Sequence, residues 1–269
     1  MSTVTLAPAA ERPARPRVAA SPIPLRRIMS VELRKSFDTR SGFWLLASIA
    51  IAAVVATGAV LVFAPRGELT YDTFAAAVGF PMVVILPMIA ILSVTGEWSQ
   101  RSGLTTFTLV PHRSRVILAK AVVAVGIGIV SILLAFAIGA LGNLAGTAIS
   151  GTETVWDVGW AEVGNIVLAN VLGLLIGFML GVLIRNSPAA IVAYFVYSFV
   201  LPTLTMLLAA RQEWFRDLQP WIDFNFTQGA LFNGTLTGQQ WAQLAVTGVI
   251  WLLVPLTAGI AMVLRSEVK

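Results

Sequence analysis

The chain has 269 residues, of which 57% are hydrophobic and only 12% are charged, and its formal net charge is +5. With a mean hydropathy of +0.85, this composition is typical of a membrane protein and not of a soluble domain. The chain contains no cysteine, which excludes disulfides, thiol catalysis and cysteine-based metal sites.

The N-terminal segment divides into two parts. Residues 1–24 are rich in Ala, Pro and Arg, which predicts a disordered basic arm, and we expect no secretory signal there. Apolar residues then recur at helical spacing, which predicts an amphipathic interface helix over residues 25–40 on the cytoplasmic membrane surface. A generic basic juxtamembrane segment that binds anionic lipid is the alternative. The basic side chains of this helix are Arg26, Arg27, Arg34 and Lys35.

Six stretches without a charged side chain follow, and each predicts a transmembrane helix. Crossing a hydrocarbon core of roughly 30 Å takes about 20 apolar residues as a helix. Residues 41–269 are therefore predicted to form an all-α membrane domain with six spans. The uncharged stretches are residues 43–63, 74–95, 121–144, 163–184, 187–210 and 241–264.

Basic residues are distributed unequally between the two sides of the predicted bundle. Fifteen of the 18 Lys and Arg residues lie in the N-terminal arm, the second and fourth connections and the C-terminal tail. The positive-inside rule then predicts that both termini are cytoplasmic, in a cell (inner) membrane. The same rule accounts for the excess of basic residues, so we expect no nucleic-acid partner.

The connection between the second and third spans combines charge, glycine and proline on the predicted cytoplasmic side. Glu97 and Arg101 stand four residues apart, in the acid-first order that favours a helix. Gly103 interrupts that helix and Pro111 ends the segment. We therefore predict a short coupling helix with charged ends, which a soluble partner would bind.

The fourth span carries Gly173, Gly177 and Gly181, one small residue every four positions. Such a stripe allows another helix to approach closely. Packing within the chain is the favoured interpretation, and a contact between subunits is the alternative.

The predicted spans contain no ionisable residue at mid-membrane, which argues against a proton- or sodium-coupled carrier and against an intramembrane protease or metalloenzyme. Tyr194, Tyr197 and Ser198 lie at three-to-four spacing on the fifth span. They either line a polar-tinged pathway or form hydrogen bonds between helices. No nucleotide site is predicted, because no lysine follows a glycine as a phosphate-binding loop requires. No catalytic or metal site is predicted either.

Residues 211–240 precede the last span and interleave aromatic with polar side chains. This mixture predicts a re-entrant segment of one or two short helices, whose backbone must be shielded by protein or water. A compact interfacial loop held by aromatic anchors is the alternative.

The second connection resembles that of the integral membrane subunits of type-2 (ABC-2) ATP-binding-cassette exporters. Leu104 departs from the pattern, because many members have Thr there. The architecture from about residue 25 to residue 269 resembles the same family in its surface helix, six spans and aromatic segment. The residues that carry the resemblance in the connection are Glu97, Gly103, Thr105, Leu109, Pro111, Arg113, Arg115 and Lys120.

This resemblance implies a permease subunit that exports a hydrophobic or amphiphilic compound, such as a drug, an antibiotic or a lipid-like molecule. Two cytosolic ABC ATPase subunits would supply ATP and Mg²⁺, and this chain would hold no cofactor and be no enzyme itself. The ATPases would dock on Glu97, Arg101, Gly103, Thr105, Pro111, Arg113 and Arg115.

A second permease copy, or a similar permease, would complete the complex within the lipid bilayer. The second and fifth spans would line the path. A membrane anchor or assembly protein without transport activity of its own is the alternative function. The candidate path residues are Met82, Ile85, Ile89, Tyr194, Tyr197, Ser198 and Thr205.

Overall fold

A computed structural model describes residues 23–99 and 113–265 of the chain. Within these ranges the elements are helices joined by short connections, without a strand, and six helices are long and apolar enough to cross a membrane. The all-α prediction with six spans is therefore confirmed. The predicted basic arm and coupling helix fall outside the described residues, with the exception of residues 23, 24 and 97–99.

Nine helices of the described residues position the features discussed below. Two of them, α6 and α9, each contain one π-helical turn, at Val196–Val200 and Val249–Leu253. The helices are α1 (Leu25–Asp38), α2 (Arg40–Phe63), α3 (Tyr71–Ser99), α4 (Arg113–Ser150), α5 (Trp160–Ile184), α6 (Ser187–Arg211), α7 (Glu213–Ile222), α8 (Phe224–Gly229) and α9 (Gly238–Arg265).

Helix α4 is much longer than its predicted span. It has 38 residues, whereas the uncharged stretch covers only residues 121–144. The predicted span began after Lys120 because this residue is charged. In the structure, Lys120 lies two turns inside α4 and is only 6% exposed. A charged residue ended the predicted span without ending the helix, because its charge is satisfied by neighbouring helices.

Helix α3 lies at the centre of the bundle and packs against α2, α4 and α5. Its apolar side chains enter a core cluster that includes Ile49 of α2, Ile132 of α4 and Phe178 of α5. A second cluster joins α5 and α6 to the segment before α9. The first cluster is formed mainly by α2–α5, with Val263 of α9, and the second mainly by α5–α9, with Ile91 of α3.

The segment between α6 and α9 folds into a hairpin of α7 and α8, followed by a 3₁₀ turn at Ala230–Asn233. The indole N–H of Trp251 donates to the carbonyl oxygen of Ile222 at 2.6 Å. The side-chain amide of Asn225 donates to the carbonyl oxygen of Tyr197 at 3.1 Å. Trp251 and Tyr197 lie near the middle of α9 and α6, so the hairpin tip reaches half-way along the bundle, as expected of a re-entrant segment.

The hairpin tip overturns one prediction. Asp223 connects α7 to α8 and is only 5% exposed, beside residues at the mid-height of α6 and α9. The expectation that no ionisable residue lies at this depth is therefore wrong. The expectation failed because it considered only the uncharged stretches, whereas the segment between the fifth and sixth spans folds back between them.

Candidate functional site

Helix α1 packs against α4 and α2 at one end of the bundle. Ile28 and Glu32 are its buried residues, and they share one face because they stand four residues apart. The three arginines of the predicted interface helix, Arg26, Arg27 and Arg34, are exposed. The side of α1 that faces the bundle therefore carries an acid that the apolar periodicity did not reveal.

Four charged side chains from α1, α3 and α4 meet beneath this face, and we call them the charge cluster: Glu32, Lys35, Glu97 and Lys120. The Nζ atom of Lys120 lies 2.5 Å from Glu32 Oε2 and 3.1 Å from Glu97 Oε1. The Nζ atom of Lys35 lies 2.8 Å from Glu32 Oε1 and 3.5 Å from Glu97 Oε1. Each base therefore contacts both acids, and the cluster carries no formal net charge.

The charge cluster is largely shielded from solvent. The side chains of Glu32 and Glu97 are each 7% exposed and that of Lys120 is 6% exposed, whereas Lys35 is 46% exposed. Lys120 also donates to the carbonyl oxygen of Ser93 at 3.0 Å, so its ammonium group has hydrogen-bond acceptors in Glu32 and Ser93 beside its ion pair with Glu97. Buried charges are tolerated where they are paired and hydrogen-bonded in this way.

Electrostatics follow from this geometry. Burial by itself would raise the pKa of the Glu32 carboxyl, but the ammonium groups of Lys120 and Lys35 outweigh it and lower that pKa below its ordinary value. Burial would lower the pKa of Lys35, but hydrogen bonding and attraction to Glu32 and Glu97 raise it above its ordinary value. Both groups are therefore held in their charged forms at neutral pH.

The charge cluster lies at both ends of the connection between α3 and α4. Glu97 lies three residues before residue 100, and Lys120 lies two turns after residue 112, so their ion pair fastens together the two ends of the connection between α3 and α4. Glu32 attaches α1 to the same point. The charge cluster therefore joins α1, α3 and α4 at the ends of this connection.

Sequence reasoning identified part of the cluster. Glu97 and Lys35 were candidates for ATPase coupling and for the interface helix, and Lys120 belonged to the family pattern. The predicted partner of Glu97, Arg101, lies outside the described residues, as do Gly103, Thr105, Pro111 and the side chain of Arg113.

Arg115 is half-buried and takes no part in the cluster's ion pairs. Glu32 was missed, although an acid four residues after Ile28 on the apolar face was a usable signal.

The candidate path residues fall into separate surroundings. Met82 and Ile89 are buried in the core cluster of α2–α5, with Ile85 packed beside it, whereas Tyr194 belongs to the cluster of α5–α9. The Tyr194 hydroxyl donates to the carbonyl oxygen of Val83 on α3 at 2.7 Å. This bond corresponds to the interhelical alternative for the polar residues of α6.

The other polar candidates on α6 differ from one another. Tyr197 and Ser198 are half-buried within its π-helical turn. The hydroxyl of Thr205 donates to the carbonyl oxygen of Pro202 in its own helix, at 3.2 Å. Tyr197 packs against the same cluster as Tyr194, whereas Met82 and Ile89 belong to the other cluster.

The glycine stripe of α5 faces other parts of the same chain. A Cβ atom at Gly177 would lie 2.7 Å from the carbonyl oxygen of Pro87, and one at Gly181 would lie 3.3 Å from that of Ile91. At Gly173 it would lie 3.1 Å from the side-chain amide of Gln228. These positions agree with packing within the chain, the favoured interpretation of the stripe.

Among the described residues, no group of three or more His, Cys, Asp or Glu side chains is placed to hold a metal ion. No model of a known protein family matches this chain, and neither does any curated protein sequence. An inference about function therefore rests on the fold and on the two buried polar regions, the charge cluster and the hairpin tip.

Proposed function

We propose that this chain is the membrane-spanning permease subunit of an ATP-driven exporter, and that a separate cytosolic ATPase moves it through the connection between α3 and α4. The observation that carries the proposal is the charge cluster at the base of that connection. An ion pair between Glu97 and Lys120, joined by Glu32 of α1, makes this end of the bundle one mechanical unit.

The packing of the bundle supplies a route from this unit to the fifth span. Helix α3 carries Glu97 and packs against α5 along the glycine stripe. It also accepts the hydrogen bond from Tyr194 of α6. An ATPase that displaced the connection would therefore tilt α3 and α4 together, and α6 would follow through α3.

The cargo is proposed to be a hydrophobic or amphiphilic compound. Helix α6 exposes a large apolar surface that includes Phe195, Phe199 and Leu204, and its polar groups are mainly hydroxyls. Such a surface suits a molecule that partitions into lipid. The molecule would reach the surface laterally, from within the bilayer. A proposed second permease copy would cover part of the same surface.

The test is reconstitution of the chain in lipid vesicles with a cytosolic P-loop ATPase from the same cell. We expect the two proteins to purify together, the compound to stimulate ATP hydrolysis, and uptake of compound into inside-out vesicles to require ATP. Uptake without any ATPase would contradict the proposal. Co-purification without ATP-dependent uptake of any compound would favour the membrane anchor instead.

A substitution in the charge cluster tests the coupling route. Glu97→Gln preserves the shape of the side chain and an acceptor for Lys120, but it removes the charge. We expect ATP-dependent uptake to fall about tenfold, which corresponds to a coupling loss of about 1.4 kcal/mol, with membrane insertion unchanged. The matched control is Glu68→Gln, which removes an exposed acid at the other end of the bundle. Equal uptake by the two variants would refute the coupling role.

A further inference from the structure

The hairpin tip holds a buried carboxylate that has no cationic partner among the described residues. Asp223 is 5% exposed, and the described ion pairs do not include it. Its Oδ2 accepts from the side-chain amide of Gln219 at 3.0 Å, and its Oδ1 accepts from the backbone N–H of Phe226 at 3.2 Å. These two neutral donors leave acceptor positions on both oxygens unused.

The local structural role of Asp223 does not require its charge. Its Oδ1 caps the first turn of α8, but asparagine and serine cap helices about as well as aspartate. Burying an ionised carboxylate without a counter-ion costs several kcal/mol. A cationic ligand would supply the counter-ion that the described residues lack, and an intramembrane ionisable group generally marks a functional site.

A second unsatisfied group stands beside it. The hydroxyl of Tyr197 is buried and has no hydrogen-bond partner among the described residues, and Asp223 acts on it electrostatically. The ring of Tyr197 lies against that of Trp251, with 5.9 Å between their centroids. A carboxylate, a free hydroxyl and two aromatic rings form a combination suited to an organic ammonium group, which binds both to anions and to aromatic faces.

We propose that Asp223 and the Tyr197 hydroxyl bind the protonated amine of a lipophilic cargo molecule half-way along α6 and α9. Asp223 neutralises the ammonium charge, and the Tyr197 hydroxyl oxygen accepts a hydrogen bond from the ammonium group. The apolar body of the molecule lies against the exposed aromatic side chains of this region, among them Phe226, which is 50% exposed, and Phe199, which is 45% exposed.

Access to the site involves the hairpin. The tip is held by the bonds from Trp251 to Ile222 and from Asn225 to Tyr197, and both partners lie in the π-helical turns of α9 and α6. Such turns often occur at functional sites, because they leave backbone groups less regularly paired than in an α-helix. Outward movement of the tip exposes Asp223 without unfolding either span.

This inference rests on the proposed function, since it names the class of compound carried, but its test needs no ATPase. The full chain is placed in nanodiscs of zwitterionic lipid and titrated with a dansyl-labelled alkyl chain ending in a primary amine. The same chain ending in a hydroxyl is the uncharged comparison. We expect Asp223→Asn to weaken amine binding roughly tenfold or more, because a charged hydrogen bond is lost, and to leave alcohol binding unchanged.

Asp217→Asn is the matched control, because it removes an exposed acid of the same hairpin and changes the net charge equally. Loss of amine binding in both variants would mean that the amine accumulates at a charged surface, and it would overturn the proposal. Undiminished amine binding by Asp223→Asn would also overturn it. Tyr197→Phe retains the ring, and we expect it to weaken binding of the amine but not of the alcohol. This variant keeps the proposal testable if Asp223→Asn misfolds. Amine binding by a chain that shows no ATP-dependent uptake when reconstituted with an ATPase would count against the proposed function and leave this site standing.

Discussion

Glu32 and Asp223 are both buried acids, but their surroundings have opposite consequences. Glu32 contacts two ammonium groups at 2.5 and 2.8 Å, so its charge is compensated within the chain. Asp223 has only neutral donors. Removing one partner of a buried ion pair is strongly destabilising, since it leaves a charge uncompensated. Removing the charge of Asp223 leaves no other charge unpaired, so its variants are suited to binding experiments.

The pH dependence of stability is expected to report on Glu32. Because its pKa is lowered in the folded protein, its contribution is present above the ordinary carboxyl pKa and is lost as the pH falls through the lowered value. In thermal unfolding experiments in detergent, the Tm should therefore fall between neutral and acidic pH, and it should fall less in Glu32→Gln than in the wild type. In Glu68→Gln the fall in Tm should equal that of the wild type. An equal fall in the wild type and in Glu32→Gln would contradict this assignment.

At the scale of helices, close packing of α5 on α3 depends on glycine. At Gly177 the backbone of Pro87 lies within 2.7 Å of where a Cβ would stand, so a side chain there must push two backbones apart. A Cβ at Gly164, on the same helix, would meet nothing within 4 Å. Two glycines of one helix thus differ only in what they face.

Gly177→Ala is expected to destabilise the bundle by about 1–3 kcal/mol, because overpacking forces backbone shifts. Gly164→Ala is expected to be neutral or slightly stabilising, since alanine is the better helix former by about 1 kcal/mol at most. Thermal unfolding of both variants in the same detergent measures the difference. Equal midpoints would mean that α3 and α5 do not approach each other as closely as described.

The sequence was sufficient for features that are local along the chain. Uncharged length predicted six spans, and the four-residue glycine repeat predicted a close-packed face. It was insufficient where a charge is satisfied by a distant residue: Lys120 ended the predicted third span, and Glu32, 88 residues away, was not recognised as its partner. The depth of Asp223 was missed for a different reason, because chain order does not reveal that the hairpin folds inward.

Considered as a whole, the described molecule has different polar features at two levels. The charge cluster lies at the end of the bundle where α1 packs, and the hairpin enters from the opposite end and places Asp223 at mid-height. The proposed function requires the first end to face the cytoplasm, where an ATPase acts, and the hairpin to face outward. The orientation predicted from the basic residues is therefore the assumption on which the mechanism depends.

Cysteine labelling tests this orientation directly, because the chain contains no native cysteine. Ser30→Cys on α1 and Thr235→Cys beyond the hairpin lie at exposed positions. With a membrane-impermeant maleimide, we expect Thr235→Cys to react in intact cells and Ser30→Cys only in inside-out vesicles. Phe226→Cys, at the hairpin tip, should react slowly from both sides, because its exposed side chain faces lipid at that depth. Reaction of Ser30→Cys and Thr235→Cys from one side would refute the orientation, and rapid reaction of Phe226→Cys would refute the depth of the hairpin.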